Sequence, residues 1–375
     1  MSAPETLIVG GGLIGLASAL ELARSGERVV LLDAGGDRRP ASLAGAGLLA
    51  PLSHKQPDGP AGPTSVMARA LWRDWLAELE DQTGETVEFD ASGALVAAAT
   101  AEERQVLASV RAQAEGLGEP NQPFGVDELQ RLAPDIRSDV EEAMLLPAEA
   151  RVDNVACFAA LRKAVLRLGV EIVSGVTVEA ILRTADGIEV TTGDGPVAAD
   201  RGVLAAGCWT SLVSGAEPLP VRPVRGQMIR VRGADWPWRG MIRVGDHYAV
   251  RRGAADLLFG ATVEEVGYAD HTTAEGLAAL TTALERAFPG LSHAPVVDSW
   301  SGLRPASEDS TPIVGAWRDW PLFVAAGHHR DGILYAPWTA RQVAAWVRED
   351  AAWESVPAFS PNRFSPRWAG ASPSV

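Results

Sequence analysis

Three glycines near the start of the chain, Gly10, Gly12 and Gly15, stand in G-x-G-x-x-G spacing, and an acid, Asp33, follows about twenty residues on. The pattern suits a pyrophosphate. Glycine at 10 permits a tight turn, glycine at 12 lets the backbone approach the phosphates, and glycine at 15 lets the next helix lie against the preceding strand. Leu13 and Ile14 open that helix, whose positive end would face the anion. A carboxylate at Asp33 accepts hydrogen bonds from an adenosine ribose and disfavours a 2′-phosphate, which points to FAD or NAD and away from NADP. The spacing alone is weakly specific; a strand, a helix, a second strand and the acid in order give it meaning.

Those elements are legible around it. Residues 6–9 are a short apolar run ending in the glycines, residues 14–25 carry Leu16, Ala19, Leu20 and Ala23 at helical spacing with Gly26 as a stop, and residues 28–32 form a second strand leading into Asp33. Residues 35–63 are rich in Gly, Pro and Ala: 41–49 is apolar enough for a buried path close to a ligand, and 55–63 reads as a surface loop. One helix is expected from Thr64 or Ser65 to about Gly84, with Met67, Leu71, Trp75 and Leu79 in the core. Residues 87–99 read as strand, turn and strand, and 102–114 and 127–132 as helices. From Asp153 a capped helix carries Val155, Phe158, Leu161, Val165 and Leu168, followed by a strand over 171–173 continuing to 178, a hairpin at Asp186-Gly187, and a buried strand from Val203 into a small-residue turn at Gly207. Between 221 and 300 the texture is antiparallel, with strands over 227–232, 241–251 and 256–262 and a helix over 273–288. A strand over 322–326, a turn and a helix to about 348 close the pattern before an irregular tail.

A chain of 375 residues with 47% hydrophobic and 22% charged residues has ample material for a two-domain α/β body. The net charge of -15 repels nucleic-acid phosphates and anionic lipid heads, so neither nucleic acid nor a membrane is expected as a partner. Cys157 and Cys208 form no disulfide framework and no metal-ligand spacing, so no metal is expected and a reducing, cytoplasmic setting fits. The apolar N-terminus lacks a basic n-region and is interrupted by Glu21, so it reads as part of the nucleotide unit and not as a signal peptide.

Three further stretches complete an ordered set: Pro223-Val224-Arg225-Gly226-Gln227, Gly302-Leu303-Arg304-Pro305 and Gly327-His328-His329-Arg330-Asp331-Gly332-Ile333-Leu334. With the N-terminal glycines, the set resembles the D-amino acid oxidase family of flavoproteins and, within it, the glycine oxidase branch associated with thiazole synthesis. The resemblance runs from Thr6 to about Arg348, and the two C-terminal stretches are its specific part.

The resemblance implies FAD held without a covalent bond, since neither cysteine lies near the C-terminus where sarcosine oxidase relatives attach theirs. It assigns the cofactor to Gly10, Gly12, Leu13, Ile14 and Gly15, to Asp33 and Ala34 at the ribose, to Ala41 and Ser42, to Ala46, Gly47 and Leu48 beside the flavin ring, to Val178 at the adenine and to Gly207. The turn His328, His329, Arg330, Asp331, Gly332, Ile333 and Leu334 would wrap the ring's polar edge, where a helix N-terminus favours negative charge. Arg304 would fork onto the substrate carboxylate with help from Tyr248, and Arg330 would come second. His328 and His329 read as turn residues and not as a catalytic base. Threonines are common where Ala41 and Ser42 stand, and an aromatic where His329 stands.

The expected fold is α/β: an FAD-binding Rossmann-like domain from 1–82, 153–220 and 300–375, with an antiparallel-sheet substrate domain from 83–152 and 221–299. The implied reaction is oxidative deamination of glycine or another small amino acid, such as sarcosine or a small D-amino acid. Hydride passes from Cα to flavin N5, no protein group makes a bond, and oxygen is the acceptor, giving hydrogen peroxide. Alternatives are a dehydrogenase of D- or N-methyl-amino acids that passes electrons to a quinone, or a flavin-bound protein without oxidase chemistry. A homo-oligomer is compatible with the sequence, which leaves the assembly open.

Overall fold

The computed structural model describes residues 4–36, 39–53, 61–215, 218–350 and 355–364. The reading of 55–63 as a surface loop falls largely outside them, as does most of the expected irregular tail.

The nucleotide unit is β1 (Thr6–Val9), α1 (Leu13–Arg24) and β2 (Val29–Asp33). It sits at the centre of a six-stranded sheet in the order Ile313–Ala316, Leu322–Ala326, Arg201–Leu204, β1, β2, Glu171–Ser174. All pairings are parallel except the outermost, between Ile313–Ala316 and Leu322–Ala326. A strand covered on both faces should be apolar throughout, and β1 is buried at all four positions. On one face, α1 packs with Asn154–Arg167, Trp72–Thr83 and the C-terminal helix Gly332–Val347 through Leu16, Leu20, Trp75, Leu161 and Val343.

A second, eight-stranded sheet runs in the order Val296–Ser307, Val221–Arg232, Asp256–Gly260, His247–Arg252, Met241–Val244, Ala94–Ala98, Glu142–Leu146, Gln122–Phe124. It is antiparallel except where Met241–Val244 meets Ala94–Ala98. Its core is separate, built on Ile229, Phe259, Trp236 and Phe288 with the helix Ala274–Ala287 against it. Two small three-stranded sheets complete the fold.

Several local expectations are revised. The helix expected from 64 to 84 is two, Ala61–Ala70 and Trp72–Thr83, joined at Leu71. Met67 is exposed, because a repeat of four drifts about 40° per step around a helix of 3.6 residues per turn, while Trp72 and Trp75 fill the core. Val155 and Leu168 are exposed at the two ends of the helix Asn154–Arg167, where no neighbouring element covers them. The chain after Ser174 leaves the parallel sheet, and Val178–Arg183 pairs instead with Ile188–Thr192. The strand expected over 241–251 is a hairpin turned at Gly245, which has φ +57. Residue 300 lies inside the strand Val296–Ser307, which pairs with Val221–Arg232 along its length, so Arg304 is carried by the antiparallel sheet.

Candidate functional site

The glycine turn separates into positions the protein itself requires and one it leaves open. Gly10 has φ +111, and a Cβ there would stand 2.3 Å from the Ala205 carbonyl oxygen. A Cβ on Gly15 would stand 1.9 Å from the Gly10 carbonyl oxygen, so α1 can approach β1 only through glycine. At Gly12 the nearest atom is Ser42 Oγ at 3.4 Å. The fold tolerates a methyl at that position, so the demand for glycine comes from whatever approaches it, as a pyrophosphate cradle requires. Ser42 Oγ accepts the Leu13 N–H at 2.8 Å, and the first turn of α1 holds no acid.

Asp33 closes the turn. Its Oδ2 accepts the Gly11 N–H at 2.6 Å and its Oδ1 the Gly35 N–H at 2.8 Å, and the carboxylate stays partly exposed. The Val176 N–H donates to the Asp33 carbonyl at 3.0 Å, which brings the start of the strand Val178–Arg183 beside Ala34.

From the N-terminus of α1 a cleft runs between the two sheets. One wall is Ala41, Ser42 and Ala44 to Leu48; the far end is Met228, Tyr248 and Arg304; the roof is His328, His329, Arg330, Gly332 and Ile333. Gly207 also lines it. The open Gly12 and the small-residue wall fit the close approach of a dinucleotide. Of the predicted residues, Gly10 and Gly15 pack within the turn, and neither they nor Asp33, Ala34 and Val178 line the cleft. Asp331 and Leu334 face elsewhere: the Leu334 carbonyl accepts Trp72 Nε1–H at 2.9 Å in the core.

Arg304, Tyr248 and Arg330 come together although 82 residues separate the first and last in sequence. Antiparallel register places Arg304 opposite Val224 and Tyr248 opposite Gly260, so both side chains reach the same end of the cleft. Arg304 Nη1 donates to the carbonyls of Thr262 at 3.1 Å and Arg225 at 3.3 Å, and its fork lies over Gly226, where a Cβ would be 2.2 Å from Nη2. Burial lowers the Arg304 pKa, opposed by Tyr248 and reinforced by Arg330. Tyr248 is pushed up by burial, with both arginines pulling the other way. Its hydroxyl lies 3.7 Å from Met228 Sδ. Arg330 Nε is buried with no hydrogen-bond partner among the described residues. No carboxylate lines the described cleft, so two guanidinium groups face it without an acid.

The turn is strapped to the arginine strand: His329 N–H donates to the Pro305 carbonyl at 2.8 Å, and Ala306 bridges His328. The buried His328 ring lies 3.0 Å from Thr339 Oγ1, and burial pushes its pKa down to about 3. His329 holds φ +50.

Residues that the sequence did not single out hold the small-residue wall. Asn154 Nδ2 donates to the Ser42 carbonyl at 2.8 Å, Arg252 joins Asn154 Oδ1 at 3.1 Å, and Trp300 Nε1 donates to the Ala44 carbonyl at 2.9 Å. The fully buried Asn154 follows the helix cap Asp153, and that cap was the only local signal. Among the described residues no cluster of acidic, histidine or cysteine side chains could hold a metal, and no helix is long and apolar enough to cross a membrane.

The chain is 35% identical over 351 residues to the bifunctional protein ThiO/ThiG of Nostoc sp., covering 92% of this chain and 53% of that one. It thus spans about half the length of the first curated relatives it matches. It is 32% identical over 360 residues to a glycine oxidase of Geobacillus kaustophilus, covering 94% of this chain and 95% of that one. The crystal structure of glycine oxidase from Geobacillus kaustophilus superposes with a TM-score of 0.90 at 31% identity, covering 97% of this chain and 100% of that one. The family model described as DAO, FAD dependent oxidoreductase, matches residues 5–346, and the chain belongs to that family.

Proposed function

We propose that this protein is an FAD-dependent oxidase of glycine or a similarly small amino acid, such as sarcosine or a small D-amino acid. Its products are the 2-oxo acid, hydrogen peroxide and ammonia, or methylamine where sarcosine is the substrate, and its place is thiazole assembly for thiamine. The observation that carries the reading is the meeting of Arg304 and Tyr248 in the cleft that starts at the N-terminus of α1 and is lined by no carboxylate among the described residues. A guanidinium fork with a phenol beside it matches one carboxylate.

In this reading the domain assembled from 1–82, 153–220 and 300–375 holds FAD non-covalently through the N-terminus of α1, Asp33 and the wall from Ala41 to Leu48. The segments 83–152 and 221–299 supply most of the substrate side. Bound FAD supplies the two-electron acceptor for the substrate's Cα–H, with oxygen as the final acceptor. The chain's own residues position and exclude. Arg304 and Tyr248 fix the carboxylate, and Arg330 adds a second positive charge that favours an anionic substrate. No lining acid holds an ammonium, and His328 is kept neutral by burial, so the substrate amine gives its proton to solvent before turnover. The Gly332–Val347 helix, with no acid in its first turn, presents its positive end to the roof of the cleft. Two buried thiols without a disulfide suit a reducing cytoplasm.

The test is anaerobic mixing of the holoprotein with glycine, sarcosine and D-alanine in turn while flavin absorbance is followed, then admission of oxygen with peroxide assayed. Bleaching by one of these, with recovery and peroxide on aeration, is expected. Bleaching without recovery in oxygen would point to another electron acceptor, and no bleaching by any of them would refute the substrate class.

A further inference from the structure

We infer that Glu264, which lines no part of the cleft, is a positioning residue for Arg304: it locks the two backbone carbonyls on which the Arg304 guanidinium rests. The inference rests on the proposed role of Arg304 as the carboxylate holder.

The two carbonyls belong to Arg225, on the strand Val221–Arg232, and Thr262, in the segment leaving Asp256–Gly260. Three layers of bonding tie these backbones together. Arg225 and Glu264 exchange both main-chain hydrogen bonds, at 2.9 and 3.0 Å, and the Thr262 N–H donates to the Gln227 carbonyl at 3.2 Å. The Gln227 N–H donates to Thr262 Oγ1 at 2.8 Å. Over both lies the Glu264 carboxylate. Its Oε2 accepts from the Arg225 guanidinium, at 3.1 Å from Nε and also from Nη2, and its Oε1 accepts from Gln227 Nε2 at 2.7 Å and from the Thr262 hydroxyl.

The acid therefore touches the side chain of each residue whose carbonyl holds Arg304, and of Gln227 between them. Arg225 is 4% exposed and needs an anion, which Glu264 supplies. Gln227 carries the lock onward, accepting the Thr273 N–H at 2.8 Å at the N-cap of Ala274–Ala287. Burial pushes the Glu264 carboxyl up, but hydrogen bonds from Thr262, Arg225 and Gln227 together outweigh it and hold the group below its usual range, so it stays an anion. The Arg304 fork has little slack, because it lies against Gly226, the residue between Arg225 and Gln227, both gripped by Glu264. Release of the lock lets the Thr262 carbonyl swing away and the fork lose its aim, with no group at the substrate altered.

The test reads carboxylate binding apart from chemistry. The dissociation constant of acetate, a carboxylate that cannot be oxidised by the flavin, is measured from the flavin absorbance change in the holoprotein. Wild type, Glu264→Gln, Arg304→Ala and the double variant complete a cycle. Glu264→Gln keeps the shape and removes the charge. It is expected to weaken acetate roughly tenfold, about the size of one net hydrogen bond, to raise KM for glycine more than it lowers kcat, and to leave FAD content normal. In the Arg304→Ala background the same change should have no further effect on acetate.

An unchanged acetate constant in Glu264→Gln overturns the inference. So does an equal weakening with and without Arg304, which would make Glu264 a general support of the sheet. Should Glu264→Gln fail to retain FAD, Thr262→Val decides, since it cuts the lock at one hydroxyl without touching the charge and carries the same expectation. If Arg304→Ala alone leaves acetate binding intact, the reading of Arg304 falls and this inference falls with it; if Arg304→Ala weakens acetate and neither lock variant does, only the inference falls.

Discussion

The carbonyl oxygen of Gly10 stands 1.9 Å from the point where a Cβ on Gly15 would lie, so the turn and the helix it launches touch backbone to backbone. At Gly12, between them, the nearest protein atom to such a Cβ is 3.4 Å away. Gly15→Ala should therefore fail to accumulate as folded protein, because neither backbone can yield. Gly12→Ala should fold with a near-normal melting curve when stripped of flavin, yet bind FAD roughly tenfold or more weakly, about 1.4 kcal/mol. Flavin titration of apoprotein checks the second, and normal FAD affinity in Gly12→Ala would remove the cradle from that residue.

The flavin should leave the polypeptide on acid or heat treatment, as FAD. Cys157 and Cys208 are both buried, and burial pushes the Cys157 thiol up to about 12, far from a reactive thiolate. Chromatography of the supernatant and absorbance of the washed precipitate are the measurement; yellow colour retained on the chain would contradict the expectation.

Arg304→Ala should lower kcat/KM for glycine on the order of a hundredfold, since a charge-assisted hydrogen bond contributes roughly 1.5–3 kcal/mol and the fork makes two. Arg304→Lys should recover only part, because a point charge does not reproduce the fork. FAD content should hold. Loss of FAD with unchanged kcat/KM would make the residue structural.

The pH dependence of flavin reduction should follow the substrate amine. Below that amine's pKa, kcat/KM should rise roughly tenfold per pH unit, with no second inflection from His328, which burial keeps neutral down to about 3. His329→Phe should retain measurable reduction at alkaline pH. Abolished reduction at every pH, in protein that still binds FAD, would make the ring part of the chemistry.

Glu149 offers a stability test. Burial raises its carboxyl to about 7, against hydrogen bonds from Ser53 and Leu52 that favour the anion. A folded-state pKa above the unfolded value means that stability from this group is fully present below about 4.5 and is lost as pH rises through about 7. Glu149→Gln should then raise the melting temperature by a few degrees at pH 8 and change it little at pH 5. Equal shifts at both pH values would show that the carboxyl is not held protonated.

Much of this protein was determined within short stretches of its sequence. The unit Thr6 to Asp33 is legible because its constraints are local: Gly10 must take φ +111, Gly15 must meet Gly10, and Asp33 reaches back only to Gly11. The cap at Asp153 is local in the same sense, its carboxylate accepting from Val155 and Ala156. The α/β class followed from such units, and so did the FAD-dependent family, through motifs that each lie within a few residues. Which face of a helix met the core was less legible: Met67 shared its spacing with Leu71, Trp75 and Leu79 and still lies in solvent. The meeting of Arg304, Tyr248 and Arg330 was decided only by the tertiary structure, as was the grip of Glu264 on Arg225, Gln227 and Thr262. Apart from Thr262, two residues from Glu264, those partners lie tens of residues apart. Strand register aims Arg225, Gln227, Tyr248 and Arg304, and a shift of one residue would turn those four side chains to the opposite face. Nothing near Glu264 in the chain marks it, because Arg225 and Gln227 reach it only once the strand Val221–Arg232 has paired.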